Sequence, residues 1–140
     1  MTPAMAIRTV IDTNVLVASL SSKSIHHWMV RQLLEEKIDL FVTGEIMLEY
    51  EEVRKQKYSA SVAVNFLNAL KELPNIHYTQ IYFRWNLLKD EDDNKFTDCY
   101  IAASAQYLIT HDSGFNILKS IPFPMVHVLN IPEFEKICKK

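Results

Sequence analysis

Two aspartates stand where short apolar runs end, near opposite ends of the chain. Asp12 follows residues 7–11, and Asp112 follows residues 108–111, which read Leu-Ile-Thr-His. In an open α/β sheet, residues at the C-terminal ends of strands face the crevice where ligands bind. Carboxylates that meet there repel one another, and a hard divalent cation, which prefers oxygen ligands, relieves the repulsion. The two aspartates therefore predict a metal site at one edge of a sheet.

A helix cap is the alternative interpretation of Asp12, because aspartate favours that position. Asp12-Thr13-Asn14 offers three capping residues where one is enough, so we favour the metal role. For Asp112 the alternative is again a turn or cap residue. The neighbouring acids Asp92 and Asp93 are typical of a solvated loop, and either could support the metal through water.

Asp98 is predicted to lie inside a helix over residues 95–106, four residues after a capping Asn94. It shares a helix face with Ala102 and Ala105, small residues that allow close packing on a sheet. A carboxylate on such a face is costly unless it is paired or bound to metal. A solvated aspartate favoured by the helix dipole explains the residue equally well.

Glu49 is the one of four glutamates in a helix over residues 44–57 that we expect to reach the cleft. At about 100° per residue it lies closest to the apolar stripe of this helix. The stripe consists of Ile46, Tyr50 and Val53, and the glutamates that point further outward are Glu45, Glu51 and Glu52. The histidines show no ligand pattern, because His26 and His27 are adjacent and His111 is most simply exposed.

The composition indicates one folded domain over residues 1–140, with 49% hydrophobic residues and two glycines. The net charge of −2 provides no global attraction to nucleic acid, so any contact must use a local patch and metal ions that bridge to phosphate. The two cysteines lack the spacing of a disulfide scaffold or a zinc site. With no membrane-length apolar run and no signal-peptide pattern, we expect a cytoplasmic protein without membrane contact.

Strands alternate with helices along the chain, which predicts βαβ units and a parallel sheet with helices on both faces. The predicted strands cover residues 7–11, 38–43, 76–79, 107–110 and 125–129. The predicted helices cover residues 14–19, 25–36, 44–57, 59–73, 95–106 and 115–119, and residues 132–140 are predicted to form a terminal helix or tail. Residues 82–94 are expected to form a loop, and the whole chain an α/β fold.

Four segments together resemble the PIN-domain family over nearly the full length. They are residues 10–19, which begin Val-Ile-Asp-Thr-Asn-Val-Leu, residues 48–53, residues 90–98, and residues 101–112, which end Leu-Ile-Thr-His-Asp. Each segment alone is weak, whereas all four in this order are specific. The resemblance is closest to the toxin components of toxin–antitoxin systems, and it implies a three-layer α/β/α fold with a central parallel sheet.

The resemblance implies a metal-dependent endoribonuclease that binds Mg²⁺ or Mn²⁺ and cleaves single-stranded RNA to 5′-phosphate and 3′-hydroxyl products. The implied catalytic acids are Asp12, Glu49, Asp98 and Asp112, of which Asp12, Asp98 and Asp112 hold the metal. Thr13, Asn14 and Thr110 match polar positions beside the cluster, and Asp93 is an implied accessory acid. Many relatives carry a further acid where this chain has Ser113-Gly114, so a second metal position is expected to be weak.

Two other functions compete with this prediction. A phosphatase of the haloacid dehalogenase type also begins with an apolar strand and Asp, but it needs a second Asp where this chain has Asn14. A catalytically silent PIN-like module that binds RNA or protein is the second, and the four intact acids count against it. The resemblance also implies an antitoxin partner and a homodimer, for which the apolar helices over residues 25–36 and 59–73 could supply a surface.

Overall fold

The computed structural model describes residues 5–58 and 61–139, and the side chains of residues 61–63 are left aside. Within these residues, strands form a sheet in the order β3-β2-β1-β4-β5. They are β1 (Ile7–Ile11), β2 (Ile38–Val42), β3 (Ile76–Tyr78), β4 (Tyr107–Ile109) and β5 (Val128–Leu129). Every neighbouring pair of these strands is parallel, which confirms the predicted α/β class.

Helices cover both faces of this sheet, as predicted for a three-layer α/β/α fold. They are α1 (Thr13–Ser19), α2 (Trp28–Leu34), α3 (Gly44–Lys57), α4 (Ser61–Lys71), α5 (Asn94–Ala103) and α6 (Ile131–Cys138), with 3₁₀ turns at Glu91–Asp93 and Ser113–Ser120. The chain moves from β1 to β3 in one direction and returns through α5 to β4 in the other. Because such crossovers are right-handed, α5 lies on the face opposite α1 to α4.

The reversal of direction creates a crevice between β1 and β4. These strands are adjacent, with Ile11 paired with Ile109, and the Asp12 N–H donates to the Ile109 carbonyl at 2.9 Å. A crevice at such a topological switch point is where open α/β sheets bind ligands. Asp12 directly follows β1 and Asp112 comes shortly after β4, so both lie at this crevice, as the sequence predicted.

The predicted helix over residues 25–36 is shorter in the structure, because α2 begins only at Trp28. The Ser24 hydroxyl accepts the His26 N–H at 3.1 Å, and a local bond of this kind competes with helix formation. Ile25, which precedes the helix, is 84% exposed, whereas Met29 and Leu33 within it are fully buried.

The boundaries of α5 also differ from the prediction. Asn94 is not a cap, because its side-chain amide bonds to both the N–H and the carbonyl of Leu88, at 2.8 and 3.2 Å. The helix ends at Ala103, before Ser104 in the left-handed region at φ 53°, instead of reaching residue 106. Ser59, predicted to cap the helix over residues 59–73, lies outside the described residues.

No helix in the described part of the chain is long and apolar enough to span a membrane.

Candidate active site

The carboxylate of Asp12 lies at the centre of the candidate site, and the side chain is 8% exposed. Its Oδ1 accepts the Thr13 N–H at 2.8 Å, and its Oδ2 accepts the Thr110 hydroxyl at 2.7 Å. Burial raises the pKa of Asp12, and the charges of Asp112 and Glu49 add to this although both hydrogen bonds lower it. The carboxylate is therefore fixed in orientation and lies among other negative charges.

Glu49 reaches the same site from α3. Its Oε2 accepts the hydroxyl of Thr13, and its Oε1 lies 2.7 Å from the ammonium of Lys95. Lys95 is 9% exposed, and its ammonium also donates to the Asp92 carbonyl at 2.7 Å. Glu49 thus contacts Thr13, the neighbour of Asp12, and pairs with a cation that no sequence pattern indicated.

Asp112 and Asp93 approach each other at Gly114. The Gly114 N–H donates to Asp112 Oδ1 at 2.8 Å. A Cβ atom at Gly114 would lie 3.2 Å from Asp112 Oδ1 and 3.9 Å from Asp93 Oδ2, so the glycine leaves room for both carboxylates. Burial raises the pKa of Asp93 to about 6, with further contributions from the charges of Asp90, Asp112 and Asp12, while Lys95 lowers it. Asp93 is therefore a member of the acidic cluster.

Asp98 lies elsewhere, and the expectation that it joins the other three acids in one cleft is wrong. Its Oδ1 accepts the Trp85 N–H at 3.0 Å, and the charge that bears on its pKa is that of Arg84. Burial raises this pKa, while the hydrogen bond and Arg84 lower it. Because α5 begins at Asn94, Asp93 stands at the helix end beside the crevice, whereas Asp98 is more than one turn along and beside the loop that carries Trp85.

A cavity of about 360 Å³ opens beside these carboxylates. Its polar lining consists of Asp12, Asn14, His26, His111 and Asp112. The rings of the two histidines stand 6.4 Å apart, centroid to centroid. Sequence reasoning missed His26 because it placed that residue in a helix. The only sequence signal for it was the serine-rich segment before it, which can hold the chain in a turn.

The two adjacent histidines do separate in the structure. His27 turns away from the cavity, with its Nδ1 2.9 Å from the Ser19 carbonyl and its ring against Phe66. Asn14 stays at the cavity, and its side-chain carbonyl accepts the Lys57 ammonium at 3.3 Å. Thr110 bridges two site residues, because its hydroxyl oxygen also accepts the Asp112 N–H at 3.0 Å.

The donor chemistry of the cluster fits a hard divalent ion. Asp12, Asp93 and Asp112 supply carboxylate oxygens. Burial is the main cause of the raised pKa values of Asp12 and Asp93, and neighbouring carboxylates add to it. Among the residues described, no group of three or more His, Cys, Asp or Glu side chains forms a ready-made ligand cage. A cage is not required by Mg²⁺, which keeps several waters and binds through one or two carboxylates.

The model of one protein family matches this chain. It is the model of the PIN domain, and it matches residues 8–114, a segment that contains every residue of the acidic cluster. No curated protein sequence matches the chain.

Proposed function

This chain belongs to the PIN-domain family, whose members are generally nucleases, and we propose that it is a metal-dependent endoribonuclease acting on single-stranded RNA. The observation that carries the proposal is the meeting of Asp12, Asp93 and Asp112 at the topological switch point, beside a cavity open to a ligand. This is the position where a fold of this class places its ligand.

The residues that would hold Mg²⁺ or Mn²⁺ are Asp12, Asp93 and Asp112. Asp93 takes the place that sequence analysis gave to Asp98, because only Asp93 lies within the cluster. When bound, the ion supplies a water of lowered pKa and offsets negative charge on the phosphodiester. Thr13 and Thr110 hold the Asp12 carboxylate in one orientation through bonds of 2.8 and 2.7 Å.

The cavity lining supplies the contacts to RNA. Lys57 engages the side-chain carbonyl of Asn14, which leaves the amide nitrogen of Asn14 to donate to a phosphate oxygen. His26 and His111 face the same cavity from two different loops, at a spacing that allows the sugar–phosphate chain to contact both rings. With a net charge of −2, the protein gains little from long-range attraction, so these local contacts define the binding site.

The direct test is cleavage of labelled single-stranded RNA by the full chain, with Mn²⁺ or with a chelator. We expect Mn²⁺-dependent cuts with 5′-phosphate and 3′-hydroxyl ends, and no cutting of duplex RNA or single-stranded DNA of the same sequence. Cleavage that survives the chelator would contradict the metal role. Equal cleavage of the duplex or the DNA would contradict the substrate class.

A catalytically silent PIN-like module is the second candidate, and the Lys95–Glu49 pair favours it. An internal cation already neutralises one acid of the cluster, and the described side chains form no closed ligand cage. Such a module would bind RNA or a protein without Mn²⁺-dependent cleavage. A measurement of Mn²⁺ binding to the purified chain distinguishes the nuclease from the silent module, because only the nuclease requires the ion.

A biological role as the toxin of a toxin–antitoxin pair extends the proposal, with an antitoxin protein as partner and a homodimer as the assembly. It is supported by the order and spacing of the four family segments. The cytoplasm is the compartment we propose, since Cys99 and Cys138 are both free thiols. Induced expression should then arrest growth, and expression of the Asp12→Asn variant should not.

A further inference from the structure

Lys95 is a buried cation inside the acidic cluster. Only 9% of the residue is exposed, and its ammonium lies 2.7 Å from both Glu49 Oε1 and the Asp92 carbonyl. Taking an ammonium out of water is expensive unless such partners replace the water. A lysine in this position is therefore held by the site, unlike a surface lysine that merely lies nearby.

The Lys95 ammonium pairs with one carboxylate of the acidic cluster, that of Glu49. Both oxygens of Glu49 are engaged, Oε1 by Lys95 and Oε2 by the Thr13 hydroxyl. Asp93 and Asp112 approach each other at Gly114, with Asp12 close enough for its charge to bear on Asp93. Across the side chains that the structure describes, Glu49 has a counter-ion at 2.7 Å, whereas no ion pair joins a cation to the three aspartates.

We propose that the Lys95 ammonium serves as the built-in second cation of this cleft, so that the cleft takes one divalent ion, at the three aspartates, instead of two. This rests on the proposed function, because it concerns the ion which that function requires. Two-ion sites hold their ions about 3.5–4 Å apart. A second divalent ion at Glu49 would have to displace the ammonium or lie beside it, and like charges at that distance repel strongly.

The sequence around Asp112 supports the same stoichiometry. Ser113 and Gly114 follow it, so the start of the 3₁₀ turn adds no carboxylate to the cleft. Asp98 is not placed beside the three aspartates, because it lines a separate cavity with Arg84 and Lys95. Lys95 is accordingly a positioning residue, which holds Glu49 in place while the aspartates bind the ion.

The experiment counts Mn²⁺ ions bound per full-length chain, by electron paramagnetic resonance of the free ion during a titration. We expect one ion in the wild type and in Lys95→Arg, which keeps the charge. Lys95→Met should bind a second ion, because Glu49 loses its counter-ion. Lys57→Met is the matched control, since it removes one exposed cation that contacts an amide, and it should still bind one ion.

Glu49→Gln provides a second variant if Lys95→Met does not fold, as a melting curve would show. It should still bind one ion, because Glu49 is not a ligand, but with lower affinity, because one nearby negative charge is gone. Two ions in the wild type, one ion in a folded Lys95→Met, or loss of the ion in Glu49→Gln would each overturn the proposal while leaving the nuclease function intact. No bound ion in the wild type would overturn the proposed function itself.

Discussion

At the scale of single residues, Asp93 and not Asp98 lies beside the other aspartates of the candidate site. Asp93 and Asp98 lie five positions apart, yet Asp93 lies beside Asp112 whereas Asp98 accepts the Trp85 N–H. Asp93→Asn should therefore weaken Mn²⁺ binding at least about tenfold, since even indirect partners of a metal site contribute that much. Asp98→Asn should leave Mn²⁺ affinity nearly unchanged. Calorimetric titration of both variants decides, and the reverse order of effects would restore Asp98 to the site.

Only some acids of the candidate site could be predicted from the sequence. Asp12 and Asp112 were predictable because each follows an apolar strand. The start of α5 was predicted to within one residue, so the helix boundary does not decide between Asp93 and Asp98. Contacts between distant segments decide, because Asp93 lies near Gly114 whereas Asp98 accepts the Trp85 N–H. Asn94 resembled a cap in the sequence, but its side-chain amide bonds to the backbone of Leu88, six residues earlier, instead of capping the helix.

A second residue-scale prediction concerns pH. The pKa of Asp93 is raised to about 6 from an ordinary value of 3.8, so the metal-free folded state binds more protons than the unfolded state between these values. The stability contributed by this group is present below about pH 4 and is lost as pH rises through about 6. Asp93→Asn should therefore gain stability relative to the wild type between pH 4 and pH 7.

Urea denaturation of the metal-free proteins at a series of pH values measures this gain. Asp92→Asn, at the exposed neighbouring position, is the control, and its stability difference from the wild type should not follow the same course. A difference between Asp93→Asn and the wild type that stays constant from pH 4 to pH 7 would show that the pKa of Asp93 is not raised in the folded state.

At the scale of elements, a hydrogen bond from Tyr50 links α3 to the end of β1. Its hydroxyl donates to the Ile11 carbonyl, next to Asp12, and burial keeps its pKa well above the usual value, so it remains a donor. Tyr50→Phe leaves a buried carbonyl without this bond and should cost about 1–3 kcal/mol of unfolding free energy. Urea denaturation measures the loss, and Tyr82→Phe, at an 88% exposed tyrosine, should cost far less. Equal losses would contradict this role of Tyr50.

Helices and strands were predictable where the residue pattern within the segment itself determines its structure. The alternation of apolar strands and helices was enough for a parallel sheet, and α3 spans Gly44–Lys57 as predicted, with the Thr43 hydroxyl accepting the Ile46 N–H. The late start of α2 was not predictable from periodicity, because it depends on hydrogen bonds within the turn at Ser24. That turn also places His26 at the cavity.

At the scale of the whole molecule, the apolar helices that suggested a dimer surface mostly serve the core. Met29, Val30 and Leu33 of α2 are fully buried, and Leu67 and Leu70 of α4 are almost so. Ile25 and Leu48 remain 84% and 62% exposed and are available to a second copy. We still predict a homodimer, and light scattering at tens of micromolar should give twice the chain mass. A monomer at that concentration would contradict the dimer and leave the nuclease site unaffected.

The measurement that tests the account most directly compares the wild type with Asp12→Asn, using RNA cleavage and thermal melting with and without Mn²⁺. Asparagine can still accept the Thr13 N–H, so the fold should persist, and the metal-free variant should be as stable as the wild type or more so, because one repelling charge is gone. Mn²⁺ should stabilise the wild type by binding only its folded state, and should stabilise the variant less. We expect Mn²⁺-dependent cleavage by the wild type and none by the variant. Wild-type cleavage by Asp12→Asn, with the same Mn²⁺-induced shift in melting, would show that Asp12 is structural and that the active site lies elsewhere.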